Sequence, residues 1–287
     1  MESTFIETNG IRLHVMQAGP DGGPLIILLH GFPEYWRGWV RQIEPLASAG
    51  YYVLAPDQRG YNLSDKPAQL EAYVLEELGN DVMGLIKSSG RQKAVIVGHD
   101  WGGIVAWWLG IYSPEWIDKL VILNAPHPSA MRKSLMFNPE QVLRSSYALL
   151  FQLPWIPEAI LRNDDWKLVV NAMHESSQPG TFSDDDMGEY RAAWWRKDAF
   201  TSMLNWYRAS ARLRPVLPEE ARVSVPTLII WGEQDQALGK YLVEPSAQLC
   251  DHVRVEMFEE ATHWVHHEEA ERVNQLILDF LTEAETS

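Results

Sequence analysis

Short, continuous runs of apolar residues divide the first half of the chain into alternating predicted elements. The runs at residues 24–29, 51–55, 94–97 and 120–123 have the aliphatic composition of strands that are buried on both faces. Before the third run, residues 74–88 repeat apolar side chains at helical spacing. Strands that alternate with helices predict a mainly parallel sheet with right-handed crossovers.

Both ends of the chain extend this pattern. Residues 4–8 and 11–17 flank Asn9-Gly10, a dipeptide typical of two-residue hairpin turns, and they predict two antiparallel strands. A helix is predicted at residues 36–49, after the first buried strand. Near the other end, residues 226–231 and 253–258 are strand-like, and residues 270–281 predict the last helix.

The segment from residue 129 to residue 217 has a different character. It contains no strand-like run and is rich in Trp, Tyr, Arg and Asp, and it predicts helices at residues 139–153, 164–174, 183–197 and 200–213. Ser183 followed by Asp186 resembles a capping box. We therefore predict an α/β core domain formed by residues 1–128 and 218–287. An inserted all-helical cap domain, residues 129–217, should cover the carboxyl edge of the sheet, where such sheets bind ligands.

One stretch of the chain combines strand, sharp turn and helix. After the apolar run at residues 94–97 comes Gly98-His99-Asp100-Trp101-Gly102, and a helix-like segment follows. This is the context of a nucleophile elbow, whose central residue is normally serine. Asp100 occupies that place, and a carboxylate nucleophile would form an alkyl ester by attacking saturated carbon. The alternative is a tight turn in which the aspartate caps the helix.

An acid and a base follow the elbow in chain order. The strand at residues 226–231 runs into a glycine and then into Glu233 and Asp235, of which Asp235 is the better candidate and Glu233 the alternative. His263 lies on the loop after the last strand and is the candidate base, whereas His266 and His267 fall at the predicted start of the final helix. The order nucleophile, acid, base predicts a triad of Asp100, Asp235 and His263.

The segment His30-Gly31-Phe32-Pro33 follows the first buried strand, which should lie beside the elbow in the sheet. The backbone N–H groups of Phe32 and Trp101 are then placed to form an oxyanion hole. A simple strand-to-helix turn is the alternative interpretation of the same residues.

Four motifs in this order and spacing resemble the α/β-hydrolase-fold epoxide hydrolases. The similarity extends over nearly the whole chain, from about residue 5 to residue 281. The motifs are His30-Gly-Phe-Pro-Glu34, Gly98-His-Asp-Trp-Gly-Gly103, Asn124-Ala-Pro-His-Pro128 and Asn205-Trp-Tyr-Arg208.

The resemblance implies an enzyme that converts a small apolar epoxide and water into a vicinal diol, without a metal or an organic cofactor. It also implies that Tyr147 and Tyr207 donate hydrogen bonds to the epoxide oxygen, although either could simply pack over the core. Supporting roles are implied for His30 and Glu34, with Glu34 helping to hold the attacking water. A phenol suits the donor role because its ordinary pKa near 10 keeps it protonated at neutral pH.

Charge and cysteine content limit the partners and the cellular compartment that we expect for the protein. The 24 basic and 39 acidic residues give a formal net charge of −15, which disfavours nucleic acid and anionic membranes as partners. A single cysteine, Cys250, excludes an intrachain disulfide and suits a reducing compartment. Without a recognisable signal peptide or an apolar run of membrane-spanning length, we expect a cytoplasmic protein, either a monomer or a homodimer.

Other functions on a similar framework stay open from the sequence. A haloalkane dehalogenase also uses an aspartate followed by tryptophan, but it commonly has a second halide donor, often asparagine, where Phe32 stands. A fluoroacetate dehalogenase usually has arginine after its nucleophile and a His-Trp pair in the cap, where this chain has Trp101 and Phe151-Gln152. A ligand-binding protein without catalysis is the third alternative.

Overall fold

The computed structural model describes residues 1–213 and 221–283. In this part of the chain one eight-stranded sheet has the order β1-β2-β4-β3-β5-β6-β7-β8. The pairs β1·β2 and β2·β4 are antiparallel, and all pairs from β4 to β8 are parallel, as predicted. The strands are β1 Glu2–Thr8, β2 Ile11–Ala18, β3 Leu25–Leu29, β4 Tyr52–Pro56, β5 Ala94–His99, β6 Ile117–Leu123, β7 Thr227–Gly232 and β8 Val253–Phe258.

Helices cover both faces of the sheet, and further helices lie in the described part of the segment between β6 and β7. Those of the core are α1 Val40–Ser48, α2 Leu75–Ser88, α3 Trp101–Tyr112, α10 Val243–Ala247, α11 Val265–Glu268 and α12 Ala270–Thr282. Those between β6 and β7 are α4 Pro128–Phe137, α5 Pro139–Arg144, α6 Tyr147–Phe151, α7 Ile156–Glu175, α8 Asp184–Trp194 and α9 Ala199–Arg212. No helix within residues 1–213 and 221–283 is long and apolar enough to cross a membrane.

Strand β3 explains why the central runs are apolar throughout. Successive side chains of a strand point to opposite faces of the sheet. Ile27 and Leu29 accordingly join the hydrophobic cluster that contains residues of α2 and α3. Ile26 and Leu28 join the cluster on the other face, with residues of α1 and α12. Because helices cover both faces, every residue of β3 is buried, and no polar alternation is visible in the sequence.

The hairpin between β1 and β2 is formed as its sequence predicts. Thr8 pairs with Ile11 across the turn. Asn9 and Gly10 both have positive φ angles, 45° and 74°. Such angles twist a two-residue turn in the same sense as its flanking strands, which is why this dipeptide favours hairpins.

The helical segment between β6 and β7 differs in detail from its prediction. The described residues 128–213 contain no strand, and Ser183 and Asp186 form the predicted capping box. However, α4 was not predicted, the single helix predicted at residues 139–153 is divided into α5 and α6, and the helix predicted at residues 36–49 begins with a 3-10 turn. The predicted boundary at residue 217 lies outside the described residues, so the division into core and cap stays a prediction.

Helix α7 begins at Ile156, eight residues before the predicted start at residue 164. Its backbone is interrupted at Asn163–Trp166, where Asp164, Asp165 and Trp166 have φ angles of 50°, 52° and 64°. Trp166 is fully buried and packs against Trp194 and Phe200, with ring centroids 5.8 and 4.5 Å away. Left-handed angles at residues other than glycine oppose helical propensity, so the local sequence could not predict this interruption.

Gly102 and Gly188 both lie in helices, but only Gly102 is closely packed. A Cβ atom on Gly102 would lie 2.1 Å from the backbone oxygen of Leu29, whereas one on Gly188 would meet nothing within 4 Å. We expect Gly102→Ala to lower the free energy of unfolding by about 1–3 kcal/mol or more, because overpacking usually costs this much. Gly188→Ala should raise it by about 0.5–1 kcal/mol. Denaturant titrations of the two variants test this; equal effects would contradict it.

Candidate active site

Asp100 lies at the sharp turn between β5 and α3, where the sequence places it. Its backbone angles, φ 50° and ψ −119°, are unusual for a residue other than glycine. The turn is possible because Gly98 faces backbone: a Cβ there would lie 2.4 Å from the oxygen of Gly102. Backbone strain of this kind costs about 1–3 kcal/mol and is concentrated at functional sites.

The loop after β3 brings a backbone donor to Asp100. The N–H of Phe32 donates a 2.8 Å hydrogen bond to Asp100 Oδ1. Gly31 permits this approach, since a Cβ there would lie 2.5 Å from the Cβ of Asp100. Trp101 begins α3, so its N–H has no acceptor within the helix. An oxygen of Asp100 therefore occupies the place where an oxyanion would develop during hydrolysis of an aspartyl ester.

His30 supports this loop from inside. Its Nε2 accepts a 3.0 Å hydrogen bond from the backbone N–H of Gln58, so the ring proton lies on Nδ1, which is 3.0 Å from the carbonyl oxygen of Gly31. The Gln58 side chain also donates to the backbone oxygen of His30 at 2.6 Å. Burial lowers the pKa of His30 and favours the neutral ring that these contacts need.

The structure brings the predicted acid and base together with Asp100. His263 Nδ1 is 2.7 Å from Asp235 Oδ2, and His263 Nε2 is 3.8 Å from Asp100 Oδ2. Glu233, the alternative acid, instead pairs with Lys240 at 2.6 Å on the surface. The carboxylate that orients His263 in this geometry is therefore that of Asp235.

Asn124 is a residue whose contribution the sequence analysis missed. It follows β6 with a φ angle of 39°, and its side-chain N–H donates to Asp235 Oδ2 at 2.8 Å. Its amide oxygen accepts from the N–H of Gly232 at 2.9 Å. The available signal was an asparagine, which tolerates left-handed angles, directly after a predicted parallel strand.

Two coupled charges dominate the electrostatics of the site. Burial disfavours the charged form of Asp235, but the attraction and hydrogen bond of His263 and the donors from Leu238 and Asn124 lower its pKa below the usual value. Burial likewise opposes protonation of His263, yet Asp235 first and then Asp100 raise its pKa to about 9. A pKa of about 9 means that the imidazole of His263 is protonated at neutral pH.

Tyr147 in α6 and Tyr207 in α9 both face this site from the helical segment. The ring of Tyr207 lies edge-on to Trp101 and Phe32, with centroids 4.9 and 5.3 Å away, and 6.2 Å from the ring of Tyr147. Tyr207 is buried, whereas 42% of Tyr147 is exposed although its hydroxyl end is enclosed. Burial, and then repulsion from Asp100, raises the pKa of Tyr147. Burial, and then repulsion from Tyr147 and Asp100, raises the pKa of Tyr207. Both hydroxyls thus remain donors.

Glu34 belongs to a buried polar cluster that the sequence analysis did not foresee. Its Oε1 accepts hydrogen bonds from Tyr190 and His267, each at 2.7 Å. Its Oε2 lies 3.4 Å from His99 Nδ1 and 3.3 Å from His266 Nε2. Burial opposes its charge, but His267 and His266 hold the pKa of Glu34 well below its usual value. His266 and His267 lie in the separate short helix α11 rather than at the start of α12.

The geometry around Asp100 has the form of an α/β-hydrolase site, and the comparisons agree with this. Residues 26–276 match the model of the alpha/beta hydrolase family, and the chain belongs to that family. The AB hydrolase superfamily protein YfhM of Bacillus subtilis is 47% identical over 277 residues, which cover 96% of each chain. Epoxide hydrolase 4 of Homo sapiens is 35% identical over 97% of this chain and 78% of its own length.

Solved structures give the same result. The crystal structure of an epoxide hydrolase from Bacillus megaterium in complex with an inhibitor is similar with a TM-score of 0.88 and 30% identity, over 98% of this chain and all of the other. The predicted α/β-hydrolase fold and the predicted resemblance to its epoxide hydrolases are therefore confirmed.

The coupling between His263 and Asp100 can be measured by titration. We expect the pKa of His263 to be about 9 in the native protein and lower in Asp100→Asn, because that change removes a negative charge which favours the imidazolium. Histidine NMR titrations, with His263→Gln to assign the signal, test this. Glu233→Gln should leave the pKa unchanged, since Glu233 pairs with Lys240. A native value near 6.5 would contradict the proposed coupling.

Proposed function

We propose that this chain is an epoxide hydrolase that forms a covalent alkyl ester on Asp100 and then hydrolyses it to release a vicinal diol. The observation that carries the proposal is a carboxylate at the nucleophile elbow with two tyrosines in the aromatic cluster above it. A carboxylate attacks the carbon of a strained ring, while phenol donors stabilise the alkoxide that leaves. The relatives named epoxide hydrolases support the same reaction.

The first half-reaction balances its protons within the site. Asp100 Oδ2 attacks an epoxide carbon, the C–O bond of the ring breaks, and the new oxyanion receives hydrogen bonds from Tyr147 and Tyr207. Forming the ester removes the charge of Asp100, one of the charges that raise the pKa of His263. His263 then gives up one proton, and this proton neutralises the alkoxide. The neutral imidazole that remains is the form required of a base.

The second half-reaction uses His263, Asp235 and the oxyanion hole. Neutral His263, oriented by Asp235 at 2.7 Å, takes a proton from water, and the resulting hydroxide attacks the ester carbonyl carbon. The N–H groups of Phe32 and Trp101 hold the oxyanion. Collapse of the intermediate breaks the ester bond and restores the Asp100 carboxylate and the protonated His263, with one proton of the water on the diol. A supporting role of Glu34 in holding this water belongs to the same proposal.

The proposed substrate is a small apolar epoxide. The walls near Asp100 are aromatic: Phe32 packs on Phe151, Phe200 and Tyr207, with ring centroids 5.3–5.8 Å apart. We propose no metal or organic cofactor for the reaction, because carboxylate, imidazole and phenols supply each step. We also propose residues 129–217 as the cap, a cytoplasmic location, and a monomer or homodimer.

Haloalkane dehalogenation is the nearest alternative. It would need a second halide donor beside Trp101, whereas the side chain at position 32 is an apolar ring packed among other rings. A ligand-binding role without catalysis would leave the contact between Asp235 and His263 unused. Turnover of a styrene-type epoxide, compared with halide release from a haloalkane, separates the three functions.

His263→Gln should separate the two half-reactions. Without a base, Asp100 can still be alkylated, but the ester has no means of activating water, so the intermediate accumulates. Mass spectrometry of the intact protein after incubation with epoxide should show one added epoxide mass, located on Asp100. Asp100→Asn serves as the control and should gain no mass. A His263→Gln protein that makes diol and never carries the adduct would contradict the covalent route.

Tyr147→Phe and Tyr207→Phe should each slow alkylation without abolishing it, because two donors share the developing charge. Loss of one such donor costs on the order of 10²–10³ in rate in other enzymes. Single-turnover alkylation in the His263→Gln background isolates this step. Tyr112→Phe, at the end of α3 opposite the elbow, is the control. Full-speed alkylation by Tyr207→Phe would mean that this ring only packs.

A further inference from the structure

The cluster around Glu34 links the helical segment to the base through buried groups, and of these the proposed chemistry uses Glu34 alone. Tyr190 in α8 and His267 in α11 donate to Glu34 Oε1, both at 2.7 Å. His99, the residue before the nucleophile, lies between Glu34 and His263. Its Nδ1 is 3.4 Å from Glu34 Oε2, and its Nε2 is 2.8 Å from the backbone oxygen of His263. These side chains are almost completely buried.

The acceptors around His99 fix the direction of its hydrogen bonds. A carbonyl oxygen can only accept, so His99 Nε2 carries a proton and donates it to His263. The other ring nitrogen, Nδ1, lies 3.4 Å from Glu34 Oε2, and neither atom has a hydrogen-bond partner among the described residues. The carboxylate of Glu34 therefore lies against the same ring whose Nε2 donates to the backbone of His263.

Tyr190 can donate its hydrogen bond to Glu34 only while α8 is packed on the loop after β3. Two further contacts hold α8 there. Trp194 Nε1 donates to the oxygen of Pro33 at 2.7 Å, and Arg37 pairs with Asp186 at 3.0 Å. The hydrogen bond that the helical segment donates to Glu34 therefore depends on how that segment packs against the core.

We propose that Tyr190, Glu34 and His99 form a positioning relay that couples the seating of α8 to the alignment of His263, and that this relay serves hydrolysis of the ester rather than its formation. The inference rests on the proposed function. Its physical reason is that ester hydrolysis needs the imidazole of His263 aligned with the attacking water, and the hydrogen bond from His99 to the backbone of His263 sets that alignment. Alkylation uses Asp100, Tyr147 and Tyr207, and it needs from His263 only the release of a proton.

Tyr190→Phe tests the relay because it keeps the ring and removes the hydroxyl. We expect alkylation within about threefold of the native rate and hydrolysis at least about tenfold slower, since one hydrogen bond to a buried charge is lost. Quenched-flow mass spectrometry should then show the ester accumulating. Tyr35→Phe is the matched control: this buried ring packs on Tyr190 at 5.6 Å, and its loss of a hydroxyl should leave both rates unchanged.

A second pair of variants covers the case in which Tyr190→Phe fails to fold. Glutamine at position 267 can still donate to Glu34 and leucine cannot. His267→Gln should therefore hydrolyse the ester faster than His267→Leu, with similar alkylation rates.

Three results would overturn the relay. One is a parallel loss of both rates in Tyr190→Phe, which would indicate a displaced α8. Another is native hydrolysis in Tyr190→Phe. The third is a stoichiometric metal ion in the purified native protein held by Glu34, His99 and His266, because a metal and not a proton would then join them. If His263→Gln never carries an ester, the proposed function itself fails, whatever these variants do.

Discussion

The close approach of two backbone segments at the carboxyl edge of the sheet is the constraint on which the site depends. The loop after β3 and the elbow after β5 touch at Gly31 and Gly102. A Cβ on either would lie within 2.5 Å of atoms on the opposite segment. This contact brings the N–H of Phe32 to 2.8 Å from Asp100. A wider separation would leave the carboxylate without its backbone donor and the later oxyanion without stabilisation.

The hydrogen bonds of the two acids account for their different roles. Asp235 accepts from His263, Asn124, and the N–H groups of Ala237 and Leu238, all at 2.7–2.9 Å. A carboxylate engaged on both oxygens is fixed in orientation and poorly nucleophilic, which suits an orienting group. Asp100 Oδ2 is instead 3.8 Å from His263 Nε2, longer than a hydrogen bond, and is therefore freer to attack.

The sequence predicted those parts of the structure that depend on local patterns. The buried strands, the Asn9-Gly10 hairpin, the elbow and the Ser183 capping box each follow from a few neighbouring residues. Other features depend on contacts distant in the sequence. Helix α5 is held to the loop after β7 by Arg144 and Gln141, contacts that the sequence near residue 145 does not reveal.

The same distinction applies within the site. Asp235 and Glu233 follow the same strand, and only the folded structure shows that Asp235 meets His263 and also accepts from Asn124, which follows β6. The cluster around Glu34 was equally hidden. It joins residues from the loop after β3, from β5, α8 and α11, which are separated by up to 233 positions in the sequence. Short polar motifs can indicate reacting groups, but they do not show which buried partners hold those groups in place.

The two proposed tyrosine donors differ in the exposure of their rings, and this bears on how they share the developing charge. Tyr207 is enclosed by the rings of Phe32, Trp101 and Phe151, at centroid distances of 4.9–5.3 Å. Tyr147, by contrast, exposes 42% of its surface. A hydrogen bond strengthens where water is excluded, and the hydroxyl ends of both tyrosines are enclosed. Both are therefore suited to share the developing charge, and the exposed part of Tyr147 lies away from its hydroxyl.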